Sequence, residues 1–531
     1  MQNQMPISRG NMVTSPHYLA SAVGSTILGQ GGNAYDAAIS VSAALGVVYP
    51  HMTGPGGDAF FLMHDGATGE ITGYNGSGRA AAGINADTFK SMGMTSIPVR
   101  GVLSAITVPG MVDAWWEVWS RYGRLPWAQL LEPAIRYAEK GCPVSRDLCI
   151  WLKRNESLIM EQTSLRASFA PLGTLLQEGE LLVQPELASS LRKIQADGRE
   201  SFYNGELANR LTSAIREDGG MLAPIDFANH KGEWVKPIST DYRGYEVHQM
   251  PPNSQGFSLL MMLNMLEHLD LSSVPRTSPE FYHLVTEVVK KVFRDRDRYL
   301  TDPDFRDIPL DRLLSKGYGH ELWSEIHTLP PVAQPFLSKM IGQDTAYAAV
   351  VDQEGNAVSF IQSLYFDFGS AYVPGDTGII MQNRGSFFSL NSLDANVLEP
   401  GKRTFHTLMP GLVTHHGKPY MLLGTQGGEG QPQTQISIIT GVIDYGLTIQ
   451  EAINLPRWLY GRTWGEKNDL LRVENRYHND VCETLTSWGH KVEVRAPWDD
   501  VMGQSQGIVI RADGMISGAA DPRGDGMAIG C

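Results

Sequence analysis

Apolar positions along the chain change period several times, and each change marks an element. The stretch from Ser15 to Gly29 has the helical spacing; Ser15 can cap its start, Pro16 suits a first turn, and Gly31-Gly32 ends it. Residues 33–48 predict a second, Ala-rich helix closed by Pro50, whose small side chains suit close packing between layers. Residues 59–64 then read as a strand, Asp65-Gly66 as a turn and 70–74 as the return strand. Residues 108–300 are mostly helical, for example 114–122 and 281–300. The last of these ends in the alternating run Arg294-Asp-Arg-Asp-Arg298, which reads as a solvated or ion-paired helix end.

A loop rich in Pro and polar residues, 330–343, precedes an abrupt switch to strands. Residues 346–351 and 357–362 flank the turn signal Asp352-Gln-Glu-Gly-Asn356. Further short strands are expected near 379–383, 411–415 and 420–424, and a helix at 449–454. The organisational boundary therefore falls near 344. A helix-rich 1–344 and a strand-rich 345–531 sharing one core predict an α+β fold, a four-layer αββα sandwich.

Composition narrows the function. The 531 residues are 42% hydrophobic and 19% charged, which fits a folded protein with a core. A net charge of −14 argues against a partner bound by phosphate neutralisation, so no nucleic acid is expected. The four cysteines, Cys142, Cys149, Cys482 and Cys531, form no C-x-x-C pair and no disulfide framework. No apolar stretch is long enough for a membrane span, and the first residues lack the apolar core of a signal peptide. A cytoplasmic location is the default expectation.

The common catalytic signatures are missing: no P-loop, no H-E-x-x-H, no G-x-S-x-G. His415 and His416 would lie on opposite faces of a strand and make poor joint ligands, so neither a metal nor a cofactor is expected. Glycine is abundant, 56 residues, and clusters at 29–34, 54–58 and 424–430. Such clusters mark tight turns or close backbone approach.

The pair Asp344-Thr345 opens the first strand after the long loop. A threonine there is ordinarily structural. If the chain were cut before it, however, Thr345 would carry a free α-amine beside its hydroxyl. One residue would then supply nucleophile and base. The run Gly424-Thr-Gln-Gly427-Gly428-Glu-Gly430 is suited to an oxyanion site, because backbone N–H groups without Cβ obstruction can turn toward developing charge.

Several segments together resemble the γ-glutamyltransferase (glutathione hydrolase) family of the N-terminal-nucleophile hydrolase superfamily. They are GGNAYDAA at 31–38, GPGGDAFFL at 54–62, DYRGYEV at 241–247, MPPNSQG at 250–256, YLTDPDF at 299–305, DTAYAAVVDQEGNAV at 344–358, DYGLTIQEAINLPRW at 444–458 and SGAADPRGDGMAIG at 517–530. The resemblance implies autocleavage between Asp344 and Thr345 into a large and a small subunit, 1–344 and 345–531, with Thr345 as the catalytic nucleophile. It also implies Ser363 as the hydroxyl that hydrogen-bonds the nucleophile, and Gly427 and Gly428 as the oxyanion glycines.

The same resemblance exposes departures in substrate binding. Asn75 takes the position of the family's α-carboxylate-binding arginine, and the nearest arginine is Arg79. Phe387 stands where an aspartate binds the α-amine, His406 and Thr407 replace paired serines, and Tyr365 replaces a substrate-contacting asparagine. Arg384 or Arg79 could hold a substrate carboxylate in a bidentate contact. The pattern resembles the branch that includes cephalosporin-type acylases and glutathione-hydrolase-like proteins. The implied substrates are γ-glutamyl amides such as glutathione, with water or an amino-acid or peptide amine as acceptor. Glutaryl-type amides are the alternative, and a non-catalytic scaffold on the same fold is an alternative of another class.

Overall fold

The computed structural model describes residues 5–326, 345–461, 468–476 and 479–531. The expected loop at 330–343 and Asp344 lie outside the described residues.

Two seven-stranded antiparallel sheets form the centre. The first runs, in spatial order, Ile7–Ser8, Ile516–Ala520, Ser505–Ile510, Lys418–Thr425, Gly411–His415, Tyr245–Gln249 and Ile238–Tyr242. The second runs Met527–Gly530, Met12–Ser15, Ala346–Val351, Ala357–Ser363, Asp58–His64, Ile71–Gly76 and Glu233–Val235. Each sheet takes strands from both before and after position 344, so the two portions of the chain build one body. Side chains of the second sheet divide by period two. Phe60, Leu62, Tyr347, Ala349 and Ile361 face the first sheet, where they meet Leu412, Leu422 and Ile508. Their neighbours Phe61, Met63, Ala346, Ala348 and Val350 join the core under the helices instead.

Helices close both faces, which completes the αββα sandwich. On the second sheet, Ala34–Val48 is buried at every position, and its alanines and serines let it sit between the strands and the outer helix Trp127–Lys140. Asn33 caps it, accepting from the Asp36 amide at 2.9 Å while Asp36 accepts from the Asn33 amide at 3.1 Å. Gly256–Leu266 and Gln431–Ile443 cover the first sheet. Among the described residues no helix is long and apolar enough to cross a membrane.

Three local expectations are corrected. The first helix spans Tyr18–Gly29 and is capped by His17, whose Nδ1 accepts from the Leu19 amide at 3.2 Å. Ser15 belongs to a strand and turns its hydroxyl to the His17 carbonyl. Residues 379–383 form no strand, because their amides bond to loop carbonyls: Met381 to Tyr372 and Gln382 to Gly56, each at 2.9 Å. His416 lies just past the strand Gly411–His415 with φ of 51°, so its ring sits beside that of His415, 4.0 Å apart, rather than on the other face.

Buried histidines give the fold an acid liability. Burial holds His17, His406 and His490 down to about 3 and His230 down to about 4. These folded values lie below the unfolded value of about 6.5. The neutral-histidine contribution to stability is therefore present above that value and is lost as pH falls toward the folded ones. At pH 5 unfolding should take up about four protons, a loss near 1.4 kcal/mol per proton per pH unit. Denaturant titrations at pH 7, 6 and 5 test this; equal stability at all three would mean that these histidines are protonated in the folded protein.

Candidate active site

Two central strands of the second sheet end together at the site. Ala346 pairs with Gln362, so the preceding residue, Thr345, stands opposite Ser363, and Ser363 pairs in turn with Asp58. All three are buried. Ser363 Oγ accepts from the Tyr365 amide at 2.7 Å, in a turn where Tyr365 takes a φ of 86°. The chain passes so close at Gly57 that a Cβ there would lie 2.3 Å from the Ser363 carbonyl oxygen.

The facing sheet supplies the glycines. Gly424 lets its strand press on Tyr347, since a Cβ would lie 2.2 Å from the ring. The strand therefore ends beside the Thr345 end of Ala346–Val351, where Gly427 and Gly428 adopt φ of 130° and 50°. A tight turn, Gly428–Gly430, leads into Gln431–Ile443, whose N-terminal end carries partial positive charge. The turn is held from behind. Gln255 Nε2 donates to the carbonyls of Gly428 (2.9 Å) and Thr407 (3.0 Å). Arg296 Nη1 donates to Gln255 Oε1 (3.3 Å) and Nη2 to Glu429 Oε2 (2.6 Å). Arg296 is buried and ion-paired, so the charge run at 294–298, expected as a solvated or ion-paired helix end, turns one arginine inward toward the site.

The remaining expected residues separate into two groups. Asn75 and Arg79 are committed to the fold. Asn75 Nδ2 donates to Asn253 Oδ1 (2.9 Å), and its Oδ1 accepts from the Ser77 amide and hydroxyl. Arg79 is engaged by Asp302, Asp304 and Glu233 at 2.8–3.2 Å. His406 is a buried neutral donor: its Nδ1 accepts from the Leu408 amide, so Nε2 carries the proton and lies 3.2 Å from Asp58 Oδ2. Burial, and then Arg384, keep its pKa low. Thr407 is buried beside it and gives its carbonyl to Gln255.

Tyr365, Arg384 and Phe387 form the second group. The Phe387 ring packs on Tyr365 and on Phe405, both at 4.6 Å between centroids. The Arg384 guanidinium carbon lies 4.4 Å from the Tyr365 ring centroid. Its three side-chain nitrogens are buried and, among the described residues, accepted by no atom. Burial pushes its pKa down to about 10. The nearby Asp58 is already occupied, with Oδ1 accepting from the amides of Gly78 and Gly110 and from Gln382 Nε2, and Oδ2 facing His406.

Comparison with known proteins decides the family. The gamma-glutamyltranspeptidase family model matches residues 20–531. This chain belongs to the gamma-glutamyltranspeptidase family. It is 53% identical over 528 residues to a Bacillus subtilis protein named glutathione hydrolase-like YwrD proenzyme, covering 99% of this chain and 100% of the relative. It is 37% identical to the oxamate amidohydrolase proenzyme of Klebsiella pneumoniae, covering 99% of both. The solved cephalosporin acylase from Bacillus halodurans superposes with a TM-score of 0.92 at 37% identity, over 100% of this chain and 97% of that one. The fold is accordingly that of the N-terminal-nucleophile hydrolases, and the chain is a hydrolase of this family.

Several residues of this family member were invisible as site residues in the sequence. Asp58 and Gln255 lay inside the quoted segments at 54–62 and 250–256, but nothing in their spacing pointed to a role. Away from the site, His283, Glu287 and His490 bring ligand-type atoms within 4.8 Å of one another. There His283 Nδ1 lies 2.9 Å from His490 Nε2, and Lys290 holds Glu287 at 2.7 Å.

Proposed function

We propose that the chain cuts itself between Asp344 and Thr345 and that the resulting pair, 1–344 and 345–531, hydrolyses small amides through an acyl-enzyme on Thr345. The observation that carries this reading is the alignment of Thr345 with Ser363 at a strand end beside the Gly427-Gly428 turn. The freed α-amine takes the proton from Thr345 Oγ as the oxygen attacks the amide carbon. The amides near Gly427 and Gly428 stabilise the tetrahedral oxyanion. The amine then passes its proton to the leaving nitrogen, and water repeats the sequence to release the acid. Ser363 holds the nucleophile's orientation. The names of two relatives, a glutathione hydrolase-like proenzyme and an oxamate amidohydrolase proenzyme, support the reading.

The acyl group favoured is one without an α-ammonium. An ammonium held by a carboxylate gains a net ~1.5–3 kcal/mol. At this position Phe387 offers only a ring, worth ~0.5–2 kcal/mol as a cation–π partner. Glutaryl-type anilides should therefore be cleaved roughly 10- to 100-fold more efficiently than γ-glutamyl anilides. Phe387→Asp should move the ratio of kcat/KM toward the γ-glutamyl substrate, while Phe387→Asn should not. A wild type that strongly prefers γ-glutamyl anilide would instead support glutathione-type chemistry, the reading favoured by the YwrD relative's name.

A further inference from the structure

Arg384 is a buried charged group of the site for which the described residues supply no hydrogen-bond or ion-pair partner. Arginine is rarely buried unless paired, because its desolvation must be offset by acceptors. Here Nε, Nη1 and Nη2 are all enclosed and all unaccepted. No carboxylate of the described residues reaches ion-pair distance. Asp58 contributes a field at longer range, and its own oxygens are filled by three donors and His406.

The position is nevertheless rigidly built. Asn383 Oδ1 accepts from the Phe366 amide (3.0 Å), and Asn383 Nδ2 donates to the Val99 carbonyl (2.7 Å). Gly385 is wedged so tightly that a Cβ would lie 2.1 Å from Ile106. The Tyr365 ring, two residues after Ser363, fixes one face of the guanidinium. A planar cation held in place with its donors unaccepted is matched by a planar two-oxygen anion.

We infer that Arg384 is an acyl-side carboxylate anchor, which makes the enzyme selective for monoamides of dicarboxylic acids. This rests on the amidohydrolase reading above and names the acyl class it takes. The carboxylate supplies the missing acceptors, and the aromatic wall of Tyr365, Phe387 and Phe405 covers the connecting carbons. His406 is neutral and donates its N–H to Asp58, so it does not draw the anion away, and the oxygens of Asp58 are engaged by other donors, so they do not take the guanidinium. The protein tolerates an uncompensated cation in its interior, and that cost is relieved when substrate binds.

The test uses the mature, processed enzyme and two anilides that differ only in the distal carboxylate: glutaryl and valeryl. Removing one partner of a buried charge pair should lower kcat/KM on the glutaryl compound on the order of 100-fold in Arg384→Met, with the valeryl compound changed less than about threefold. Arg384→Lys, which keeps the charge but loses the fork, should fall between. The same Arg384→Met protein should melt higher than wild type, by about 2–5 °C, because an unpaired charge is replaced by an apolar chain. Glutarate should raise the melting temperature of wild type and not of Arg384→Met. Equal cleavage of both anilides by wild type, or an equal loss on both in Arg384→Met, overturns the anchor while leaving the amidohydrolase reading intact. An inorganic anion seated on Arg384 would give that first result. Cleavage of neither anilide by wild type overturns the amidohydrolase reading itself.

Discussion

Thr345→Ala should remain a single 531-residue chain on a denaturing gel and should lose amidase activity by roughly four to six orders of magnitude. The size of the loss follows from the double duty proposed for this residue. The side-chain oxygen is the attacking atom in both the cleavage of the chain and the cleavage of substrate. The α-amine that serves as base exists only after the first event. Alanine removes the oxygen, and therefore also prevents the amine from being exposed. Thr345→Ser separates the two requirements, since it keeps the hydroxyl and the amine; it should process and retain measurable turnover. Thr345 is buried at the start of a central strand, so alanine leaves the ladder from Ala346 onward in place and the variant should fold. A Thr345→Ala chain that still divides at 344/345 would show that the cut is made by something other than this residue.

The parts of the molecule that were legible beforehand are those in which local pattern and tertiary role agree. The Ala-rich helix 34–48 and the strands on either side of Asp352–Asn356 appear within a residue or so of expectation, because the period of their apolar positions is the period of their burial. The glycines at 427 and 428 were legible because their backbone angles suit that residue above all. Arg296 was not, because an alternating charge run carries no mark of which member turns inward. That choice is made by Glu429 and Gln255, which are far away in sequence. The stretch 379–383 misled for a related reason: Ile379 and Met381 are buried at a strand-like spacing of two, but its amides are satisfied by loops. Likewise, the family resemblance offered Arg79 and Arg384 as alternatives. Only the tertiary partners separate them, since three carboxylates surround the first and, among the described residues, none reaches the second.

The C-terminal segment 517–530 gives the other large effect. Asp521 sits between two buried arginines. Its Oδ2 accepts from Arg457 and from the Ser505 amide (2.9 Å), and its Oδ1 accepts from the Arg523 amide and Nη1 (both 3.0 Å). Arg523 is paired with Glu474 through two bonds of 2.7 Å. Arg457 also donates to the carbonyls of Met502 (3.0 Å) and Gly503 (2.6 Å). Gly503 in turn backs the glycine turn: a Cβ there would lie 2.4 Å from the Gln426 carbonyl oxygen, and the Gln426 amide donates to the Gln504 carbonyl at 3.0 Å. The ion network thus holds the segment against which Gln426-Gly427 rests. Asp521→Asn keeps the shape and removes the charge, leaving two buried guanidiniums to share Glu474. Breaking one member of such a network should cost about 3–5 kcal/mol in denaturant unfolding. Small displacement of the glycine turn should lower kcat, by up to about 100-fold, more than it raises KM. Burial alone would raise the Asp521 carboxyl, but Arg457 and Arg523 hold it below the ordinary range. Its contribution is therefore present above the unfolded carboxylate value and is lost only as pH falls through the depressed one, so the wild-type and Asp521→Asn stabilities should converge in strong acid and differ most near neutrality. A variant within about 0.5 kcal/mol of wild type at pH 7 would mean that the network contributes neither to the fold nor to the turn it supports.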